Sequence, residues 1–454
     1  MTSVLGSIKN IRDKTLTKAL NKALEMKRDG QRQRATTRLI KACRQLLTER
    51  GEASGVSQAQ ETLALYSELA KDEQSAFFQS LKKDFSPDPK VVLDAAHAYA
   101  ATPDSKHLAA LTHAAEPPRQ ELLRRLNRAP GGTRVIVGMR ERLLEALPKD
   151  RELRQVDDDF HHLLQSWFNP GFLRIARVDW NTPATLLEQL IRHEAVHEIR
   201  GWNDLRRRLQ GDRRCFAFFH PALPDEPLIF VEVALLSAMP DAIEPLINID
   251  SDPRAPTDFN LAAFYSISNC QPGLRGVSLG NFLIKQVAGL LSAEFPKVKH
   301  FCTLSPIPGF RDWLKRMTAD ADAATKLSPA LRQSLDNVQR AIGPMLDRPA
   351  AELRDAERTR EKVAKDIERL SAAYLLGAGE PDGVTRDPVA RFHLNNGARL
   401  DRLNSAADLS DKGLKQSLGM MVNYVYDLKT IERNHEKFVG GNTEASKHVR
   451  ALLG

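Results

Sequence analysis

AAFYSIS at residues 262–268, NCQPGLRGVSLG at 269–280 and NFLIKQVAGLL at 281–291 follow one another without interruption. The first is a short apolar run of strand type, and the third spaces its apolar residues at three and four, as an amphipathic helix does. Between them lies a loop bearing Gly273, Gly276 and Gly280. A strand, a glycine-bearing loop and a helix in this order present successive backbone N–H groups and the positive end of a helix to an anion. Glycine lets the backbone approach a phosphate with no Cβ in the way. The spacing fits neither the dinucleotide fingerprint nor the P-loop, and no Lys-Ser/Thr pair follows. Taken alone, the same residues would also make an ordinary structural turn.

Working outward, strand-like runs lie on both sides: FLRIARVDW (172–180), RCFAFFH (214–220), PLIFVEVALL (227–236) and KHFCTLSPI (299–307). Helical patterns separate some of them, so the second part of the chain is predicted to mix strands and helices. Up to about Phe168 the pattern is helical throughout, as in ETLALYSELAKDEQSAFFQSLKKDF (61–85) and PKVVLDAAHAYAAT (89–102). Breaks fall at Pro87, Pro89, Pro117-Pro118 and Pro130-Gly131-Gly132. The expected boundaries are a helical domain over 1–168 and a mixed domain over 169–454. From about Asp312 onward the chain reads as mostly helical, with a loop-like interruption over residues 377–400.

Composition narrows the class. The 454 residues are 42% hydrophobic and 27% charged, a globular balance. No stretch approaches the ~18 unbroken apolar residues of a membrane-spanning helix. The opening MTSVLGSIKNIRDKTLTKAL lacks a signal-type apolar core. A cytoplasmic protein with no membrane partner is expected. Net charge is +8, but aromatics are only 6%, few for base stacking, and Arg206-Arg207-Arg208 lies interleaved with acids. No nucleic-acid partner is expected, whereas a ligand carrying several phosphates suits the balance. Four scattered cysteines, Cys43, Cys215, Cys270 and Cys302, form no CxxC pair and read as buried thiols.

One motif is formally complete: His193-Glu194-Ala195-Val196-His197 spells HExxH on a predicted helix. In zinc hydrolases that spacing puts both imidazoles on one face with the glutamate beside them. Here the helix is expected to run on through Glu198 and Arg200 as a solvated, charged face. No third ligand is evident, although Asp204 or Asp212 could be proposed, and no metal site is expected.

Other segments carry polar groups at strand or loop ends. Ser305 opens Ser305-Pro306-Ile307-Pro308-Gly309, where two prolines end a strand abruptly. His393 sits in PVARFHLNNGA (388–398), and MMVNYVY (420–426) closes on Tyr426. By themselves these read as a turn serine, a structural histidine and core packing.

The loop Arg275-Gly276-Val277-Ser278-Leu279-Gly280 resembles the pyrophosphate loop of GNAT acyltransferases, with Ser278 in place of the first glycine. In order along the chain, RLNRAPGGT, SWFNPGFL, FYSIS…GLRGVSLGNFLIK, TLSPIPGF, PVARFHLNNGA and MMVNYVY resemble the malonyl-CoA decarboxylase family, from about Glu73 to Asp427. That resemblance implies an α+β protein: an N-terminal all-α helical bundle used in self-association, followed by a GNAT-like α/β catalytic domain that binds acyl-CoA. It implies conversion of malonyl-CoA to acetyl-CoA and CO2 with no cofactor. The catalytic serine falls on Ser305 and the catalytic histidine on His393. The CoA loop falls on Arg275, Gly276, Val277, Ser278, Leu279, Gly280 and Asn281, and a further site residue on Tyr426. Some relatives have glutamate where this chain has Ser278, so no acid–base role is expected there.

Overall fold

The computed structural model describes residues 34–277, 279, 283–380 and 383–454. The basic opening segment and the loop residues Ser278, Gly280 and Asn281 lie outside the described residues. The chain divides into two compact units. One comprises residues up to Phe172 with Pro221–Pro224 and Gln271–Leu279; the other takes the rest. Two short segments from the second part of the sequence therefore belong to the helical unit.

The helical unit is built as the apolar spacing predicts. A helix over 34–48 is followed by Glu52–Ser67, Lys71–Asp84, Pro89–Ala101, Ser105–Ala115, Pro118–Asn127, Gly132–Ala146 and Arg154–Trp167. Asp88 accepts a bond from the amide of Lys90 with Pro89 in the first turn, and Asp104 accepts one from that of His107. Both are helix starts written in the sequence. Phe77, Phe78 and Leu81 on one helix, Leu122 and Leu126 on another, and Val156, Phe160 and Leu164 on a third fill the core. Arg140 lies buried, with Nε donating to Asp157 at 2.8 Å and Nη1 donating to the carbonyls of Gly273 and Arg275, each at 2.8 Å. That guanidinium anchors the glycine loop to the helices. Gly273 has its own reason: a Cβ there would lie 2.0 Å from the carbonyl oxygen of Val137. Its bareness serves close packing on a helix rather than approach to a phosphate. Gly276, by contrast, holds the left-handed φ of +83° that favours glycine.

The second unit is an eight-stranded sheet. Its strands are β1 (Arg174–Val178), β2 (Arg213–Phe219), β3 (Ile229–Leu236), β4 (Leu261–Asn269), β5 (His300–Thr303), β6 (Ser305–Pro306), β7 (Arg399–Asn404) and β8 (Met421–Tyr426). The order is β1-β2-β3-β4-β5-β8-β6, with β7 also against β8. Pairing is antiparallel except between β4 and β5, whose parallel junction is spanned by the helix Leu283–Glu294. Every residue of β2 and β3 is buried, Arg213, Arg214 and Glu232 included, which is why these runs are apolar at most positions instead of alternating. The helices Ala184–His193 and Trp202–Arg208 pack Leu187, Leu190 and Leu205 on Cys215, Ala217 and Phe230. The architecture is α+β.

Three expectations are corrected. The helix carrying HExxH stops at His193; Glu194 is its cap, and residues 194–201 are not helical. Within that stretch Glu198 and Arg200 are exposed as expected, but Glu194 and His197 are buried. Arg207 and Arg208, read as part of a charged patch, are internal: Arg207 pairs with Asp212, and Arg208 with Asp204 and Glu232. Finally, the loop-like stretch contains the helix Pro388–Asn395, and the mostly helical tail contributes β7 and β8. All four cysteines are buried and free, and burial pushes the Cys43 and Cys302 thiols up to about 12. Among the described residues, no helix is long and apolar enough to cross a membrane.

Gly397 ends the Pro388–Asn395 helix at φ +78°, where a Cβ would meet the carbonyl oxygen of Ile431 at 2.1 Å. Gly397→Ala should therefore destabilise by about 3 kcal/mol or more, from the left-handed backbone plus the clash. Gly441 has a similar φ of +82° but open space around it. Gly441→Ala should cost only about 1 kcal/mol in denaturant unfolding. Equal losses would remove the clash from the account.

Candidate active site

Three segments of the sheet unit converge on one imidazole. β5 leads through Leu304 into β6, which pairs Ser305 with Val422 of β8. Thr303 and Ser305 are two apart on extended backbone, so both side chains point the same way. Tyr424 and Tyr426 stand in the same relation on β8. Facing them is His393, on a helix whose start is fixed by Asp387: one carboxylate oxygen accepts from the amides of Val389 and Ala390, with Pro388 at the first position. The other oxygen of Asp387 accepts from the amide of Gly309 at 3.3 Å and from the hydroxyl of Tyr374 at 3.2 Å. Asp387 thus ties the Ser305-Pro306-Ile307-Pro308-Gly309 turn to the histidine helix. A Cβ on Gly309 would sit 2.2 Å from the Tyr374 hydroxyl, so the final glycine of that turn is required by packing.

The polar chain through the site has a direction. The hydroxyl of Ser305 donates to Thr303 Oγ1 at 2.8 Å. Ser305 Oγ also lies 3.0 Å from His393 Nε2, and its single proton is already committed. With the serine proton directed to Thr303, the tautomer that completes the chain carries its proton on Nε2 and donates to Ser305. The opposite ring nitrogen, Nδ1, lies 2.8 Å from the Tyr426 hydroxyl and accepts from it. Thr303 Oγ1 takes a second bond from the amide of Tyr424 at 3.3 Å. Tyr424 also stacks on the imidazole with centroids 4.6 Å apart.

Burial sets the charge. Ser305 and His393 are each 4% exposed and Tyr426 is 2% exposed. Among the described residues no carboxylate is hydrogen-bonded to the imidazole, and burial pulls the pKa of His393 down to about 3. Burial pushes the Tyr426 hydroxyl in the other direction, well above its ordinary value. The resting site is a neutral imidazole between a phenol and a serine.

Of the residues singled out from sequence, Ser305, His393 and Tyr426 come together. Arg275, Gly276, Val277 and Leu279 lie in the helical unit, where His161 Nε2 donates to the carbonyl of Gly276 at 3.0 Å. Sequence reasoning passed over Thr303, Tyr424, Asp387 and Asn423. Asn423 is fully buried and donates to the carbonyl of Thr303 at 2.9 Å. Period-two spacing on the strands would have pointed to Thr303 and Tyr424, and the Asp-Pro pair before a periodic run would have pointed to a helix start. At the HExxH stretch, Glu194 accepts from the amides of Val196 and His197, both at 2.8 Å, and from the hydroxyls of Ser266 and Ser268. Its oxygens are occupied by structural donors, and the two histidines no longer share a helical face.

A neutral buried histidine makes stability depend on pH. In the unfolded chain it takes up a proton near ~6.5, but in the fold only at about 3. The unfolded state binds the extra proton within that window, so stability falls as pH falls from about 6.5 toward 3. Between about pH 8 and about pH 5 the loss from this group is about 2 kcal/mol. Urea unfolding at both pH values should show wild type losing that much more than His393→Gln; equal losses would mean the imidazole is solvated.

Comparison with known proteins identifies the lineage. A family model described as the malonyl-CoA decarboxylase C-terminal domain matches residues 171–454, and one described as the N-terminal domain of the same enzyme matches 85–168. The mitochondrial malonyl-CoA decarboxylase of Anser anser anser is 35% identical over 350 residues, covering 74% of this chain and 68% of its own. That of Rattus norvegicus is 34% identical over 360 residues, covering 76% and 72%. The crystal structure of malonyl-CoA decarboxylase from Rhodopseudomonas palustris is similar with a TM-score of 0.84 and 48% identity, over 92% of this chain and 99% of that one. The enzyme from Agrobacterium vitis gives 0.81 and 46% over the same shares. With both of its halves matched and relatives aligned over most of its length, the chain belongs to the malonyl-CoA decarboxylase family.

Proposed function

We propose that this carboxy-lyase converts malonyl-CoA to acetyl-CoA and CO2, with Ser305 orienting the malonyl group and exchanging a proton and His393 protonating the enolate. The observation that carries these roles is that the hydroxyl of Ser305 is placed to donate to Thr303 Oγ1 while its oxygen lies 3.0 Å from His393 Nε2. In a nucleophilic serine the imidazole accepts the serine proton. Here the serine proton is directed to Thr303, and the imidazole is read in the tautomer that donates to the serine. That favours proton delivery over acyl transfer or hydrolysis.

A malonyl thioester needs no external electron sink. The bond between Cα and the carboxylate breaks, its electron pair moves into the thioester carbonyl to form the enolate, and CO2 leaves. A proton then adds to Cα, and one proton is consumed per turnover. Ser305 hydrogen-bonds the malonyl carboxylate and holds the breaking bond out of the carbonyl plane. The entering carboxylate is a negative charge beside a group that had none, so it raises the pKa of His393 from its low resting value. Tyr426 holds Nδ1 as an acceptor and so keeps the mobile proton on Nε2. The segment 275–281 is assigned to CoA. Self-association through the helical unit belongs to the same proposal; the helices Pro89–Ala101 and Ser105–Ala115 bury no residue and expose Val91, Leu93 and Leu108, which supports it.

Purified protein incubated with malonyl-CoA should release CO2 and acetyl-CoA in equal amounts, and in D2O the new methyl group should carry one deuterium. His393→Ala should lower kcat by about 10²–10⁴-fold with a much smaller change in KM. Malonate and free CoA as products would instead restore a nucleophilic serine. Untouched malonyl-CoA would sink the decarboxylase proposal.

A further inference from the structure

We propose that a cleft within the helical unit receives the 3′-phosphate of the CoA nucleotide; this rests on the acyl-CoA substrate proposed above and names where its phosphomonoester end is held. The cavity measures about 780 Å³ and is lined by Arg151, Arg154 and His161 from the helices and by Arg275 and Gly276 from the glycine loop. All of these belong to the one unit.

Charge singles the cleft out. Arg151, Arg154 and Arg275 are exposed, and none makes an ion pair with an acid among the described residues. Arg140 also lines the cavity but is committed: its guanidinium pairs with Asp157 and holds two loop carbonyls. The three open guanidiniums therefore face a single open carboxylate, that of Asp158, and the cleft is left with two excess positive charges. Like charges gathered around a concavity repel one another until an anion enters. A phosphomonoester dianion matches that excess, and guanidinium forks bind phosphate oxygens in pairs.

The loop side of the cleft is built, not merely adjacent. Donors from the helices hold the carbonyls of Gly273, Arg275 and Gly276, the last through His161 Nε2 at 3.0 Å. Arg275 is thereby kept on the cavity wall with Arg151 and Arg154. Because segment 275–281 is the part of the chain assigned to CoA, the same ligand brings its phosphates to this end of the loop.

The test uses full-length protein and adenosine 3′,5′-bisphosphate, with adenosine 5′-monophosphate for comparison, in titration calorimetry at low salt. Wild type should bind the bisphosphate at least about tenfold more tightly than the monophosphate, and R151Q/R154Q should reduce that ratio to near one. Both arginines are solvent-exposed, so folding should be intact by circular dichroism; R154Q alone should lower the ratio part of the way. R142Q removes an arginine of the same unit that does not line the cleft, and should leave the ratio unchanged. A ratio near one in wild type, a ratio preserved in R151Q/R154Q, or an equal drop in R142Q would each overturn the proposal. Binding does not depend on turnover: a phosphate-selective cleft in a protein that leaves malonyl-CoA intact would defeat the decarboxylase reading alone.

Discussion

An imidazole held neutral and almost wholly out of water is least costly when both ring nitrogens find partners, because an unpaired buried polar atom carries a desolvation penalty of about 1–3 kcal/mol. In this fold the partners of His393 are Ser305 and Tyr426, which come from different strands. That requirement obliges β5–β6, β8 and the Pro388–Asn395 helix to meet at fixed register. The β5–β8 pairing sets Tyr426 opposite Phe301, and the β6–β8 pairing sets Ser305 opposite Val422. A slip of one residue in β8 would turn Tyr424 and Tyr426 away from the imidazole together, since strand side chains alternate. The catalytic proposal and the sheet register therefore rest on the same bonds.

The helix end of the arrangement depends on one carboxylate. Asp387 caps the helix carrying His393 and also binds the amide of Gly309, four residues beyond Ser305. Serine and histidine are 88 positions apart in the chain, and this carboxylate fastens their two segments near the reacting groups. Asp387 is itself buried, and burial pushes its pKa up despite four donors around it. On the far side, the buried amide of Asn423 binds the carbonyl of Thr303 and accepts from Asn404 and Arg402, joining β5, β7 and β8. The side-chain oxygens of Asp387 and Asn423 are all taken up by donors, and buried polar groups satisfied in this way stiffen a site.

Much of this was legible in the residues. The helical unit follows from apolar spacing and proline breaks, and six of the eight strands coincide with runs that read as strands. What escaped has physical reasons. RLDRLN in β7 alternates weakly and carries two arginines and an aspartate, a pattern that periodicity cannot separate from a loop. The helix with His393 spans only eight residues between Asp387 and Gly397, too short for its period to stand out against the surrounding loop residues, although both of its caps were visible. Ser305, His393 and Tyr426 were marked through family resemblance, whereas Thr303, Tyr424 and Asp387 needed the fold, because what qualifies them is proximity across the sheet.

The HExxH stretch shows why spacing alone misleads. Five residues place two imidazoles on one face only while the helix continues, and here it ends at the first of them. Glu194 then turns inward, where two amides and two serine hydroxyls compensate its burial. The arginines that follow are drawn in as well, against Asp204, Asp212 and Glu232. Charges that look solvated in a linear sequence are thus part of the interior of the sheet unit. The excess positive charge that faces solvent has to be sought elsewhere, and arginines with no ion-pair partner among the described residues, such as Arg151, Arg154 and Arg275, are where an anionic ligand gains most.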